Sequence, residues 1–391
     1  MSAAATAGVA LVGPTHPFTG GIAHHTTALA HRLDAREPTA LVSWSRQYPA
    51  RLYKGTPTVP LDAPEVEVFP ATTYPLAWDR PGSWWRTGRS VRAARVLALA
   101  VVTPFHAVPY AGLLRGAGRG PRRVAIVHNV LPHESSPVDR ALVRALLGSV
   151  DRVVVHSEEQ AEVAAQVGVR PARVRVAALA PHLPAAREPS RAGTAAVRAA
   201  GAPVELLFFG TVRPYKGLDV LLRALALTPR TRLTVAGDFW HPLAELQQVA
   251  REAGVLDRVV WRPGYVQGGD LPELFAAADV SVLPYRSGTA SQNVALAASH
   301  GVPSVVTSVG TLAADVRDGV DGLVVPAQDV RTQHVGMQGQ DVRAPSQDVE
   351  ALGRTLRRLE EPGLLEQLRQ GITVPDPDGA WDEYVEAVLG D

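Results

Sequence analysis

Short runs of aliphatic and β-branched residues recur along the chain. Each is followed by a Gly- or Pro-containing turn and then by an Ala-, Leu- and Arg-rich stretch of helical spacing. Val9–Val12, Val124–Val127 and Arg152–His156 read as strands in the first half; Glu205–Phe209, Arg232–Ala236, Val259–Arg262, Val280–Leu283 and Pro303–Thr307 read as strands in the second. Gly21–Leu33, Pro137–Leu147, Glu158–Val167, Leu218–Leu227, His241–Ala253 and Leu271–Ala277 read as the helices between them. Runs that are apolar at successive positions suit strands buried on both faces. Alternation of such strands with helices builds parallel sheets covered on both sides. The pattern appears twice, with a break rich in Pro, Ala and Arg at Pro181–Pro203. It predicts an α/β protein of two Rossmann-like domains facing each other across a cleft. The first spans residues 1–185 and the second 204–375, with a final helix at about 380–391 packing back on the first.

Composition narrows the chemistry. A length of 391 residues suits two cores rather than one, and 46% hydrophobic with 20% charged residues is a globular profile. A net charge of +1 argues against a general polyanion binder. There is no cysteine, which excludes disulfides, thiolate catalysis and Cys-ligated metals. No basic residue precedes the apolar stretch near the N-terminus, so it reads as a first strand and not as a leader. No apolar run has the length of a membrane span. A cytoplasmic protein is the expectation. Near the end, AQDV at 327–330, GQDV at 339–342 and SQDV at 346–349 repeat one phrase, and residues 330–348 read as a polar, repeat-derived loop before a helix at Glu350–Leu359.

In open parallel sheets ligands bind where loops leave the carboxyl ends of the strands. Three such loops stand out. Gly20-Gly21 follows the first strand and opens a helix, so bare backbone N–H groups and the helix end favour an anion there. Gly210-Thr211-Val212-Arg213-Pro214-Tyr215-Lys216-Gly217 follows a strong strand and projects Arg213 and Lys216 from one short loop. Arginine offers a planar fork to phosphate oxygens and lysine a point charge. Lysine occurs only at positions 54 and 216, so Lys216 is not compositional noise. The third loop carries Ser287, Gly288, Thr289, Ala290, Ser291, Gln292 and Asn293, small or amide residues that leave backbone N–H groups open to a diphosphate. Such a set favours chemistry in which a diphosphate leaves, stabilised electrostatically and without a required metal or other cofactor. The one Asp-x-Asp, Asp376 and Asp378, sits between prolines and reads as a turn.

Four segments in order, FFGTVRPYKGLDVLLRAL, LTVAGDFW, LPELFAAADVSVLPYRSG and ALAASHGVPSVVTSVGTLAADVRDGVDGLVV, resemble the C-terminal domain of family 4 retaining glycosyltransferases. VHNV at 127–130 and VHSEEQ at 155–160 extend the resemblance into the first half. It implies the GT-B fold, a nucleotide-sugar donor, no obligatory metal and retention at the anomeric carbon. By position it makes Arg213 and Lys216 the diphosphate pair and Gly21 the N-terminal loop beside the diphosphate and acceptor. It makes His128 the histidine facing the donor sugar, and Tyr265-Val266 the strip against the nucleobase. No protein nucleophile is implied; the resemblance implies front-face attack, with the departing phosphate taking the acceptor's proton. The family's paired glutamates are missing: their places fall at about Gly288 and Leu296, and no Glu lies between 274 and 349. The sequence resembles a branch that uses the Ser/Gly/Thr loop instead. A non-catalytic sugar-nucleotide-binding or partner-binding member of the same fold is the alternative.

The acceptor, whether glycan, lipid-linked or small molecule, belongs by the same resemblance to the first half. From Arg80 to Arg123 there are nine arginines and no acid, headed by Trp84 and Trp85. A helix from this stretch suits an anionic membrane surface, at about 1 kcal/mol per cation. Nucleic acid is not expected, since no binding motif accompanies the patch. Among other histidines, His24 and His25 lie on the first helix as core or rim, and His106 and His133 carry no assigned role.

Overall fold

The computed structural model describes residues 7–49, 58–62, 64, 66–132, 136–182, 202–287, 291–326, 346–374 and 376–390. Lys54, His133, Gly288, Thr289, Ala290, most of the Pro181–Pro203 break and most of the repeat loop at 330–348 lie outside the described residues. The chain divides into two units, residues 1–183 with 376–391, and residues 184–375.

In the first unit the elements run β1 (Val9–Val12), α1 (Gly21–Asp34), β2 (Thr39–Arg46), β3 (Thr72–Ala77), α2 (Pro81–Ser90), β4 (Val96–Val101), α3 (Ala107–Ala117), β5 (Arg122–Val127), α4 (Pro137–Gly148), β6 (Arg152–Val155), α5 (Glu158–Gln166) and β7 (Val174–Val176). In the second they run β8 (Val204–Phe209), α6 (Leu218–Ala224), β9 (Thr231–Gly237), α7 (Leu243–Glu252), β10 (Val259–Pro263), α8 (Leu271–Ala276), β11 (Val280–Leu283), α9 (Gln292–Ser299), β12 (Ser304–Thr307), β13 (Gly322–Val325), α10 (Ser346–Arg358) and α11 (Leu364–Gly371). The last helix, α12 (Pro377–Leu389), belongs to the first unit.

Every strand pairing among these is parallel. The described strands form one sheet of order 3-2-1-4-5-6-7 and another of order 10-9-8-11-12-13. Both orders reverse beside their first strand, between β1 and β4 and between β8 and β11. Neighbouring loops diverge at such points, and ligands enter there.

The continuous apolar runs have the two-faced burial that their pattern predicts. Val9 and Leu11 face one core with Leu29, Ala30 and Leu33 of α1, while Ala10 and Val12 face the other with Tyr110 and Leu113 of α3. All six residues of β4 are buried. The strands β2 and β3 escaped the sequence reading: β2 ends in the polar SWSR and β3 contains Pro75, so neither looks like a buried run. Helix 218–227 loses its last turn to a tighter 3-10 segment, Leu225–Leu227.

Helix α12 shows how the first unit recruits the end of the chain. Trp381, Tyr384, Val385 and Val388 are buried against Val9, Leu11, Ile126 and Val154, beside α1. Arg122 and Arg152, the first residues of β5 and β6, reach its C-terminal end. Arg122 donates to the carbonyls of Val388 at 3.2 Å, Leu389 at 2.5 Å and Gly390 at 2.5 Å; Arg152 donates to Ala387 at 3.1 Å and Gly390 at 2.5 Å. Cations suit the unpaired carbonyls and the negative pole of a helix end. At the other end, Asp376 accepts from the N–H groups of Asp378 and Gly379, and Asp378 pairs with Arg32 at 2.6 Å. The Asp-x-Asp is thus a helix cap and a surface ion pair.

Three of the nine arginines in the stretch from 80 to 123 are committed within the unit. Besides Arg122, Arg95 pairs with Glu37, and Arg123 donates to Ser149 and Gly118 carbonyls. Trp84 turns inward, its indole N–H donating to Ala77 at 2.7 Å, while Trp85 stays 48% exposed with the Arg89 guanidinium 4.9 Å from its ring.

Arg152→Ala should destabilise the first unit by about 1.5–3 kcal/mol, since it removes charged hydrogen bonds from a buried helix end. Hydrogen exchange should show faster opening of amides in 377–389 with those of α6 and α7 unchanged; unaltered protection of 377–389 would refute the clamp.

Candidate functional site

The second unit concentrates cationic chemistry at its reversal point. Strand β8 ends at Phe209, and Gly210 follows at a φ of 103°. A Cβ at Gly237 would lie 2.1 Å from the Gly210 carbonyl oxygen, so only glycine lets the ends of β8 and β9 meet this closely. Val212 and Trp240 then exchange further backbone contacts with this neighbouring loop. The chain makes one tight turn, Pro214–Lys216, and stops at Gly217 in the left-handed region, where a Cβ would sit 2.0 Å from the Pro284 carbonyl oxygen. The loops after β8 and β11 are therefore pinned backbone to backbone.

Arg286, which the sequence reading left without a role, completes that joint. Its backbone N–H donates to Tyr215 at 2.7 Å, its guanidinium donates to Pro214 at 3.1 Å, and it pairs with Asp219 at 2.5 Å. Its charge is spent. Arg213 and Lys216 differ: no ion pair to a carboxylate involves them among the described residues. The Arg213 guanidinium lies 3.9 Å from the Trp240 ring and the Lys216 ammonium 5.3 Å from the Tyr285 ring. Burial pulls the Lys216 ammonium below the ordinary lysine range, and nearby Arg213 acts in the same sense.

Asn293 closes the cradle from α9. Its side-chain amide donates to the Phe209 carbonyl at 2.8 Å. A Cβ at Gly210 would come 3.3 Å from that amide nitrogen and 3.5 Å from Lys216 Nζ, so Gly210, Lys216 and Asn293 meet at one spot. Ser291 caps α9, accepting from the Asn293 N–H at 3.4 Å, and its hydroxyl lies 3.4 Å from the Tyr285 hydroxyl. Ser287 and Ser291 flank the residues 288–290 that are not described, and Gln292 is the first residue of α9. Leu296 of α9 is buried. Tyr265 and Val266, half-buried, follow Gly264 at the end of β10, whose N–H donates to Gly237 at 3.0 Å. They share the carboxyl edge of this sheet with the cations, two strands from β8.

In the first unit, Gly20 precedes α1 at a φ of 98°; the first turn of α1 has neither a side-chain cap nor an acid. His128 follows β5 and is buried in a cluster that the sequence reading did not assemble. Its ring lies 5.0 Å from those of His25 and His156, and His25 lies 5.0 Å from His182. These four come from α1 and from the segments after β5, β6 and β7, all at the carboxyl edge. Trp381 and Tyr384 of α12 pack 5.4 and 4.9 Å from His25. The Nδ1 atoms of His156 and His182 meet the carbonyls of Ala177 and Ala180, and a Cβ at Gly21 would lie 3.4 Å from His182 Nε2. The buried Nε2 atoms of His128 and His156 have no hydrogen-bond partner among the described residues. Burial, reinforced by neighbouring rings, holds His25 and His128 well below the usual histidine range; burial, opposed by the carbonyls of Ala177 and Ala180, pushes His156 and His182 down to about 4. The cluster is neutral at physiological pH. One signal in the sequence pointed to it: His128 and His156 each end a buried strand.

Comparison with known proteins agrees on both halves. Residues 19–178 match the family described as Glycosyltransferase Family 4, and residues 203–335 the family described as Glycosyl transferases group 1. The D-inositol 3-phosphate glycosyltransferases of Mycobacterium bovis and Mycobacterium tuberculosis are 34% identical over 193 residues, which cover 47% of this chain and 40% of theirs. The match thus spans about two fifths of the length of these curated relatives. Among solved structures, HepE of Anabaena, in complex with UDP and glucose, superposes with a TM-score of 0.69 at 17% identity, covering 98% of this chain and all of its own. The sucrose-phosphate synthase of Thermosynechococcus elongatus gives a TM-score of 0.66 at 17% identity, covering 97% and 94%. The two parallel-sheet units are those of the GT-B type.

The histidine cluster generates a pH prediction. Its rings bind protons less readily folded than unfolded. As pH falls from about 6.5 the unfolded chain takes up protons first, and stability is lost down to about 4, where His156 and His182 protonate in the fold. Thermal unfolding should show a midpoint that drops across this window, with a shallower drop in His156→Asn. A slope identical in the variant would remove the cluster from the account.

Proposed function

The chain belongs to the family 4 glycosyltransferases, and from that membership we propose that it moves a hexosyl group from a nucleoside-diphosphate sugar to a hydroxyl acceptor, with retention and without an obligatory metal. The observation that carries this reading is the pair Arg213 and Lys216, fixed at the reversal point beside the α9 amides and left without a carboxylate partner among the described residues.

In this reaction the bond from the anomeric carbon to the diphosphate oxygen breaks and negative charge grows on the leaving group. Arg213, Lys216 and the N–H groups at the start of α9 meet that charge. The new bond forms from the acceptor oxygen on the same face, and the acceptor's proton passes to the departing phosphate. Gly20 and Gly21 extend the anion-binding set in the first unit, His128 contacts the donor sugar as a neutral hydrogen-bonding ring, and Tyr265 and Val266 line the nucleobase. The complex of HepE with UDP and glucose supports UDP-glucose as the first donor to test.

We place the enzyme in the cytoplasm. No helix among the described residues is long and apolar enough to cross a membrane. The exposed face of α2, with Trp85, Arg86 and Arg89, is the part of the basic stretch that suits an anionic membrane surface.

A panel of nucleotide sugars should yield one that raises the unfolding temperature and is turned over, at first by slow hydrolysis. Arg213→Ala and Lys216→Ala should each lower turnover by about a hundredfold, the usual cost of removing one charge-stabilising group. Stabilisation without turnover by any acceptor would favour the non-catalytic reading, and unchanged turnover in both variants would sink the assignment. Cosedimentation with vesicles containing phosphatidylglycerol should occur for the wild type and weaken in Trp85→Ala; equal sedimentation of both, or of neither, would dismiss the membrane face.

A further inference from the structure

One feature of the first unit is used by none of this. Strands β2, β3 and β4 are parallel, so the residues that follow them emerge at one edge of the sheet. There Phe105 lies half-buried, its ring 6.3 Å from that of Tyr48 and 6.4 Å from that of Trp78. Beneath them His106 is fully buried and stacks on both Trp44 and Tyr48, at 5.3 and 5.4 Å with planes within 27° of parallel. The rings form a column from the core to a shelf of three half-buried rings, Phe105 tilted 48° to Tyr48 and 56° to Trp78.

Two details separate the shelf from ordinary packing. Among the described residues, neither nitrogen of His106 nor the buried Thr103 hydroxyl has a hydrogen-bond partner. Unpaired buried polar groups cost about 1–3 kcal/mol each, so their grouping under one patch calls for a polar partner. At the rim, Arg46 and Asp79 pair at 2.9 Å with side chains 48% and 31% exposed. Both immediately neighbour the shelf in sequence, next to Gln47-Tyr48 and Trp78 respectively.

Flat apolar faces edged by a donor fork and an acceptor carboxylate complement a pyranose ring. Such a ring presents C–H groups on its face and hydroxyls around its edge. Aromatic faces carry partial negative charge and take the C–H side; Asp79 accepts from hydroxyls and Arg46 donates to them. We infer that Tyr48, Trp78 and Phe105, with Arg46 and Asp79 at the rim, form the acceptor subsite, and that the acceptor group it takes is a sugar ring. This rests on the transferase reading for the word acceptor, whereas the sugar-binding shelf itself does not.

Saturation-transfer NMR on the full chain with methyl glycosides of glucose, galactose and mannose tests it, with tryptophan fluorescence as the second readout. At least one glycoside should receive saturation at its ring C–H protons and quench the fluorescence. Trp78→Ala and Phe105→Leu should weaken that binding by about tenfold. Phe105→Leu keeps the apolar volume while removing the ring face, so loss of binding with an unchanged unfolding temperature supports the shelf. If a glycoside binds at the shelf but no nucleotide sugar is turned over, the shelf stands and the transferase reading falls. If the protein turns over a donor yet binds no glycoside, or binds it equally well in both variants, the shelf is overturned alone.

Discussion

Two cations at one tight turn, with no carboxylate ion pair among the described residues, are the constraint around which the second unit is built. Like charges at short range repel, and burial penalises the Lys216 ammonium further. The depressed Lys216 ammonium is the signature of that cost. The fold keeps the arrangement because the turn cannot relax: Gly217 abuts the Pro284 carbonyl and Arg286 ties Tyr215, Pro214 and Asp219 together. The one arginine that could neutralise its charge locally does so, and by doing so holds the other two cations in place. An anion with several oxygens relieves the repulsion and gains charge-assisted hydrogen bonds at once.

The first unit follows a different principle. Its carboxyl edge holds neutral imidazoles where the second unit holds cations. Four histidines pack ring against ring under α1, and the end of the chain returns as α12 to seal them with Trp381 and Tyr384. Arg122 and Arg152 secure that helix from the opposite edge of the sheet, at the amino ends of β5 and β6. The chain terminus thus supports the ground on which His128 stands.

The sequence was most legible where burial dictates residue type. Strands such as Val9–Val12 are read to the residue because both faces are covered and no polar position interrupts them. The loops after β8 and β11 were legible because glycines and rare lysines mark them. The histidine cluster was not, because His25, His128, His156 and His182 are far apart in sequence and meet only once β5, β6 and β7 align. Arg286 carries no role that the sequence alone reveals, because its part depends on Asp219, 67 residues away. The arginine run from 80 to 123 misled in part, since Arg95, Arg122 and Arg123 are spent on carboxylates and carbonyls that pattern alone does not reveal.

The proposal that Arg213 and Lys216, which make no carboxylate ion pair among the described residues, hold a diphosphate is tested most directly by calorimetric titration of the wild-type chain with uridine diphosphate and uridine monophosphate at two salt concentrations. The account predicts that the diphosphate binds more tightly, by about tenfold or more, and that its advantage shrinks as salt screens the charges. Equal affinity for the two nucleotides, independent of salt, would mean that Arg213 and Lys216 do not hold the second phosphate and would contradict the account.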